Sequence, residues 1–206
     1  MKLIKPYFEI IEQEPGLEGI YKQIELAGRT CYKSTPLYRW YSKDKTRWIN
    51  ENSEEWKYLD NPKNDYPIKG ENISAKAFTE RMIKSGHWAM LEHGTVYLHI
   101  KDYFNSEASK TIAHYTGTGT IISTNFSVEK MQSNPYSKCN IMGLMLHGRQ
   151  AYITTNYRTI IENNWLDDLK YLCEPTEYHE KRVCVRFICD RGVSHEYVRH
   201  KILCVA

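Results

Sequence analysis

The stretch Arg182-Val183-Cys184-Val185-Arg186-Phe187-Ile188-Cys189-Asp190-Arg191-Gly192-Val193-Ser194-His195-Glu196-Tyr197-Val198-Arg199-His200-Lys201 changes period midway. Up to Cys189, the apolar Val183, Val185, Phe187 and Cys189 alternate with Arg182, Cys184 and Arg186, which predicts a half-buried strand. From Asp190 onward, two imidazoles, three cations and two carboxylates crowd into about three helical turns. Packing alone does not call for that density of charge. The cluster is therefore expected just where a strand turns into a helix.

Outward from this junction, Val96, Leu98 and Ile100 alternate with Thr95, Tyr97 and His99, a second strand expected to lie in the same sheet. Leu17, Ile20, Tyr21, Ile24 and Ala27 follow Pro15-Gly16 at helical spacing and predict a first helix to about Arg29, ending near Cys31. Asn72 or Ser74 can cap a second helix through Ala77, Phe78, Met82 and Ile83, with Ser85-Gly86 as its stop. Thr120 to Asn125 and Ala151 to Asn156 read as short β segments around a helical stretch from Ile141 to Leu146. Ile160, Ile161, Trp165, Leu166 and Leu169 predict a helix from Tyr157 to Leu172, broken near Asn163-Asn164 and stopped by Glu174-Pro175. The expected architecture is one domain over 1–206, a mixed sheet with flanking helices, with a β-rich and helical subdomain inserted at 102–180.

A length of 206 residues and 41% hydrophobic content suffice for a real core. A net charge of +3 is too small for a dedicated nucleic-acid binder, so any basic site must be local. Trp40, Trp48 and Trp56 interleave with Lys43, Lys45 and Arg47, a pattern that can bind single strands. Asp44, Glu51, Glu54 and Glu55 dilute its positive field, and a packed surface loop from Leu37 to Gly70 is expected instead. Met1-Lys2-Leu3-Ile4-Lys5-Pro6 lacks a long apolar core, and no segment approaches the roughly 20 apolar residues of a membrane helix, so a cytoplasmic protein without a membrane partner is expected. Cys31, Cys139, Cys173, Cys184, Cys189 and Cys204 form no Cys-x-x-Cys pair and read as buried reduced thiols.

His195-Glu196 invites comparison with the zinc helix His-Glu-x-x-His, but Arg199 stands at the fourth position. His200 follows one residue too late, roughly 140° around the helix from His195. No metal is expected. Glu196 instead shares a helix face with Arg199 and His200, as in a helix-stabilising ion pair or a ligand site where Arg199 offers a planar fork to phosphate. Gly117 and Gly119 lead into β-branched residues rather than a helix and read as a turn, not a dinucleotide fingerprint.

Together, Gly86-His87 with Glu92-His93 before one strand, and Arg191, His195-Glu196 and Arg199-His200-Lys201 after another, resemble the flavin-dependent thymidylate synthases. That family's signature is Arg-His-Arg-x-x-Ser, continued through an acidic or amide residue to Ser-x-Arg. Arg199, His200, Lys201, Cys204 and Ala206 stand at its opening positions, with lysine in place of an arginine and cysteine in place of a serine. Arg29-Thr30-Cys31 also looks like the end of the family's first helix, where a small polar residue lies near flavin.

The resemblance implies an α+β homotetramer that holds FAD at subunit contacts and methylates dUMP, with methylenetetrahydrofolate as carbon donor and NADPH as reductant. It would place Cys31, His87, Ala89, Arg199, His200 and Lys201 at the flavin, and Glu196 with Arg199 at dUMP; nucleic acid is not an expected partner. The written chain stops before the family's Ser-x-Arg, so this form is expected to bind FAD weakly and not to convert dUMP. The alternatives are a non-catalytic nucleotide- or flavin-binding subunit and, in another class, a nucleic-acid module built on the Trp40 to Trp56 loop.

Overall fold

The computed structural model describes residues 5–34, 36–41, 48–49, 69–101, 111–115, 121–143 and 150–198. Arg199, His200, Lys201, Cys204, Ala206, Trp56, Gly117, Gly119 and the stretch from Leu144 to Leu146 lie outside the described residues. In chain order the elements are strand β1 (Tyr7–Ile11), helix α1 (Gly16–Tyr32), strands β2 (Tyr38–Tyr41), β3 (Trp48–Ile49) and β4 (Lys69–Asn72), helix α2 (Ala75–Lys84) and a 3-10 turn over Trp88–His93. Strands β5 (Thr95–Lys101), β6 (Thr111–Tyr115) and β7 (Ile121–Asn125) follow, then helix α3 (Phe126–Gln132) and strands β8 (Lys138–Met142) and β9 (Gln150–Asn156). Helix α4 (Tyr157–Glu162), a second 3-10 turn over Leu166–Tyr171, strand β10 (Cys184–Ile188) and helix α5 (Arg191–Val198) complete the described chain.

The core forms where α1, α2, the first 3-10 turn and α4 cover a three-stranded sheet of order β5-β9-β8. Val96, Leu98 and Ile100 turn one face of β5 inward, as their spacing predicted. They join Ile20, Ile24, Phe78, Leu91, Val128, Met131, Ile153 and Ile160 in one apolar cluster. Strand β9 is central, and every residue from Ala151 to Asn156 is buried. Within the stretch read as an insertion, β8 and β9 supply two strands of this sheet, and Val128, Met131, Ala151, Ile153, Tyr157 and Ile160 join its core.

Both long helices form where the pattern placed them. Helix α1 runs to Tyr32, where Lys33 adopts the left-handed conformation at φ 50° and Ser34 N donates to Arg29 O at 3.0 Å. At the start of α2 the cap comes from Asn72, whose Oδ1 accepts from the amides of Ser74 and Ala75 at 2.9 Å each. The expected break near Asn163-Asn164 is real: α4 ends at Glu162, and Asn164 takes φ 58° before the chain enters the second 3-10 turn.

Several expectations are corrected. Strands β5 and β10 do not share a sheet, because β10 pairs with β1 in a separate two-stranded ribbon. Every described pairing is antiparallel, and the strands divide into two three-stranded and two two-stranded sheets rather than one mixed sheet. Ile141 lies in β8, not in a helix: pairing with Ala151 of β9 outweighs its local helical context. The stretch from Leu37 to Gly70 contains β2 and β3 and the start of β4, paired in the order β3-β2-β4, rather than only a loop.

The ribbon reverses one further expectation. Phe8 opposes Phe187 and Ile10 opposes Val185, yet Phe8 is 64% exposed, Ile10 61%, Val183 65% and Phe187 44%. The alternation predicted for β10 is not realised in its burial: Cys184, Val185 and Ile188 are half-buried, whereas Arg186 and Phe187 are both exposed, because β10 has only β1 beside it.

Candidate functional site

A buried carboxylate sets the site's frame. Glu25 of α1 is fully buried and receives Arg29 Nε at 2.7 Å, Ser74 Oγ at 2.6 Å and Asn72 Nδ2 at 2.6 Å. Three donors offset the cost of taking the charge out of water and join α1 to the start of α2. Further along this contact, Phe78 of α2 lies beneath two guanidinium groups, with Arg29 Cζ 5.0 Å and Arg81 Cζ 5.1 Å from its ring centroid. Gly28 permits the approach: a Cβ there would stand 2.6 Å from the Phe78 ring.

Helix α2 closes on Gly86 at φ 71°, a left-handed position that favours glycine. Its neighbour His87 is held by a backbone bond from its amide to Met82 O at 3.0 Å. Tyr32, the last residue of α1, meets that imidazole: its Oη is hydrogen-bonded to His87 Nδ1, and the ring centroids are 5.6 Å apart. Arg29, Arg81 and Lys84 occupy the last turns of the two helices, where cations oppose the negative ends of the helix dipoles. The C-terminal ends of α1 and α2 thus form a corner of cations, a phenol and an imidazole.

Of the residues singled out from the sequence, His87 lies in this corner, and Cys31 and Ala89 lie close to it along the chain. Cys31 adjoins Tyr32 and is exposed, contrary to the expectation of a buried thiol; His87 is half-buried; Ala89, two residues on, is exposed. Glu196 lies exposed on α5, whose first turn is capped by Asp190: Oδ1 accepts from Val193 N at 3.1 Å and the carbonyl from Ser194 N at 3.1 Å. Because α5 follows the ribbon strand β10, it is not delivered by the β5 sheet as expected. Arg199, His200 and Lys201 lie outside the described residues. Tyr32 was missed; its only sequence signal was an aromatic beside the flagged Cys31.

Glu92 and His93, the other half of the first motif, point to structural work. Glu92 binds Arg158 Nη1 at 2.5 Å, and the same guanidinium reaches Glu162 Oε1 at 2.7 Å through Nε. His93 Nε2 is buried with no hydrogen-bond partner among the described residues, and burial lowers the imidazole pKa against the opposing pull of Glu92.

His93 also borders a cleft of about 430 Å³ that the sequence did not suggest, lined by Ile10, Ile20, Gln23, Tyr97 and Cys184 among others. Burial raises the pKa of the Cys184 thiol, with Gln23 opposing, and burial together with Glu174 raises that of Cys173. The bordering thiols and imidazole are neutral, while Glu12, Glu14 and Glu174 outnumber Lys181 and Arg182 around the opening. The charge around this opening is therefore net acidic, opposite in sign to the exposed Arg81 and Lys84 of the helix-end corner.

A second thiol–imidazole contact, Cys173 Sγ to His179 Nε2 at 3.8 Å, resembles a nucleophile and its base. His179 has no free lone pair for that task. Its Nδ1 accepts from Thr176 N at 3.1 Å, which leaves the proton on Nε2 for Leu98 O at 3.1 Å.

Among the described residues, no three His, Cys, Asp or Glu side chains gather as metal ligands, and no helix is long and apolar enough to cross a membrane. Comparison of the chain with protein families, with curated proteins and with solved structures yields no match.

Proposed function

We propose that this chain is a flavin-dependent thymidylate synthase-type protein: a cytoplasmic homo-oligomer, tetrameric as in the family it resembles, that binds FAD and dUMP. The reaction is the reductive methylation of dUMP to dTMP, with methylenetetrahydrofolate as carbon source and NADPH as reductant. One observation carries the reading: the Tyr32–His87 pair sits where Arg29, Arg81 and Lys84 end two helices, so polar ring-facing groups and cations share one corner.

The donor set suits the ligand. A dinucleotide combines an extended ring system with a pyrophosphate, and the corner offers aromatic and imidazole surface beside guanidinium and ammonium groups. Arg81 and Lys84 are exposed and would meet phosphate, while Arg29 is held in an ion pair by Glu25 and fixes the geometry of the α1 end. His87 would orient the ring system, with Cys31 and Ala89 bordering it. Arg199, His200 and Lys201 would complete the flavin site, and Glu196 with Arg199 would address dUMP, as the resemblance implies. FAD, when bound, supplies the hydride that completes the methyl group.

Titration of the purified full chain with FAD, followed by flavin fluorescence, tests the reading. Saturable binding that weakens at least tenfold in both His87→Ala and Arg81→Glu supports it. Tritium release from 5-tritiated dUMP, dependent on methylenetetrahydrofolate and NADPH, identifies the enzyme; FAD binding without release identifies a non-catalytic flavoprotein. Absence of saturable FAD binding overturns the proposal.

A further inference from the structure

His87 has two ring nitrogens, and only one is engaged within the described part of the chain. Nδ1 meets the hydroxyl of Tyr32, whereas Nε2 has no hydrogen-bond partner among the described residues. Both partners are fixed from behind. Tyr32 ends α1 against the left-handed Lys33, and His87 follows Gly86 with its amide bonded to Met82 O. The contact thus joins two helix ends and does not depend on a long loop.

The direction of this bond follows from its chemistry. A phenol oxygen shares its lone pair with the ring, which makes the hydroxyl a better donor than acceptor, while the bare nitrogen of a neutral imidazole is a good acceptor. We infer that Tyr32 is a positioning residue: its hydroxyl donates to His87 Nδ1, fixes the proton on Nε2 and aims that N–H outward from the corner. A second-layer hydrogen bond that selects a histidine tautomer also selects what the other nitrogen can recognise.

The outward N–H requires a ligand that accepts. The fitting chemical class is an anionic ligand whose ring system presents a carbonyl oxygen or an unprotonated ring nitrogen to His87, with Arg81 and Lys84 facing its charge. A ring edge that offers only N–H groups would face donor against donor. Assignment of that acceptor edge to a flavin rests on the function proposed above; the tautomer itself does not.

The test uses the full chain labelled with ¹⁵N-histidine, with proton–nitrogen correlation spectra at pH 8 and His87 assigned by loss of its signals in His87→Gln. Wild-type His87 is expected to show Nε2 protonated and Nδ1 bare with the shift of a hydrogen-bonded acceptor. In Tyr32→Phe, which keeps the ring and removes only the hydroxyl, the Nδ1 resonance should move toward that of an unbonded nitrogen, and the Nδ1–H form should grow in. Near-ultraviolet circular dichroism checks that the variant is folded. FAD affinity should fall roughly three- to tenfold, the worth of one neutral hydrogen bond. A wild-type spectrum with Nδ1 protonated, or an Nδ1 resonance unchanged in Tyr32→Phe, overturns the inference. The expected spectra without any FAD binding would uphold the positioning role and remove the flavin assignment.

Discussion

Gln13 is bound to Thr95 as one strand residue is bound to another: its Nε2 donates to Thr95 O at 2.8 Å, and its Oε1 accepts from Thr95 N at 2.9 Å. The side-chain amide supplies the donor and acceptor that a neighbouring backbone would bring, and it ties the segment between β1 and α1 to the first residue of β5. Gln13→Ala removes both bonds from a partly buried setting. A loss of about 1–3 kcal/mol is expected from urea unfolding, and no change would show that water replaces the amide at no cost.

Glu25 is the most heavily engaged buried charge described. Glu25→Ala leaves Arg29, Asn72 and Ser74 facing an empty space, and a cost of about 3–5 kcal/mol is expected. Glu25→Gln retains one carbonyl acceptor and should cost less. Thermal unfolding of the two variants, with Gln the less stable, would contradict this account.

Gly28→Ala drives a methyl group into the Phe78 ring and is expected to destabilise by about 1–3 kcal/mol. Shortening the ring side chain in the same molecule, Gly28→Ala with Phe78→Leu, should recover part of that loss. A double-mutant cycle reads the coupling, and strict additivity would place the cost elsewhere.

Acid should weaken the fold through His179. Burial lowers its pKa, the bond to Leu98 opposes that shift, and nearby His99 adds to it. The folded value therefore lies below that of the unfolded chain, about 6.5, and in the interval between them the unfolded state takes up the proton. The contribution is complete above the unfolded value and is lost as pH falls through the folded one. His93, also lowered mainly by burial, acts with the same sign. Urea midpoints measured from pH 7.5 to 5 should decline in the wild type and more gently in His179→Gln; an equal slope would exclude His179 as a contributor.

What could be read from the sequence was periodic and local. Ile20, Ile24 and Ala27 announced α1, Val96, Leu98 and Ile100 announced β5, and Asn164 allowed the interruption after α4 because asparagine tolerates the left-handed conformation. Pairing was not legible. Nothing near Tyr7 states that it will oppose Ile188, 181 positions along the chain, and an exposed ribbon has no strong burial constraint to set its phase. At the candidate site, His87 stood out through its motif. Tyr32 and the anchor at Glu25 did not, since contacts between residues 55 and 47 positions apart leave no spacing to recognise.

The interior bond set around Glu25 also governs what lies beyond it. With Arg29 and Asn72 clamped to one buried carboxylate, the gap between the two helix tips is gauged by bonds made behind them. The corner behaves as a caliper set at its pivot, and substitutions there would spoil its aim while every residue at the jaws stayed the same.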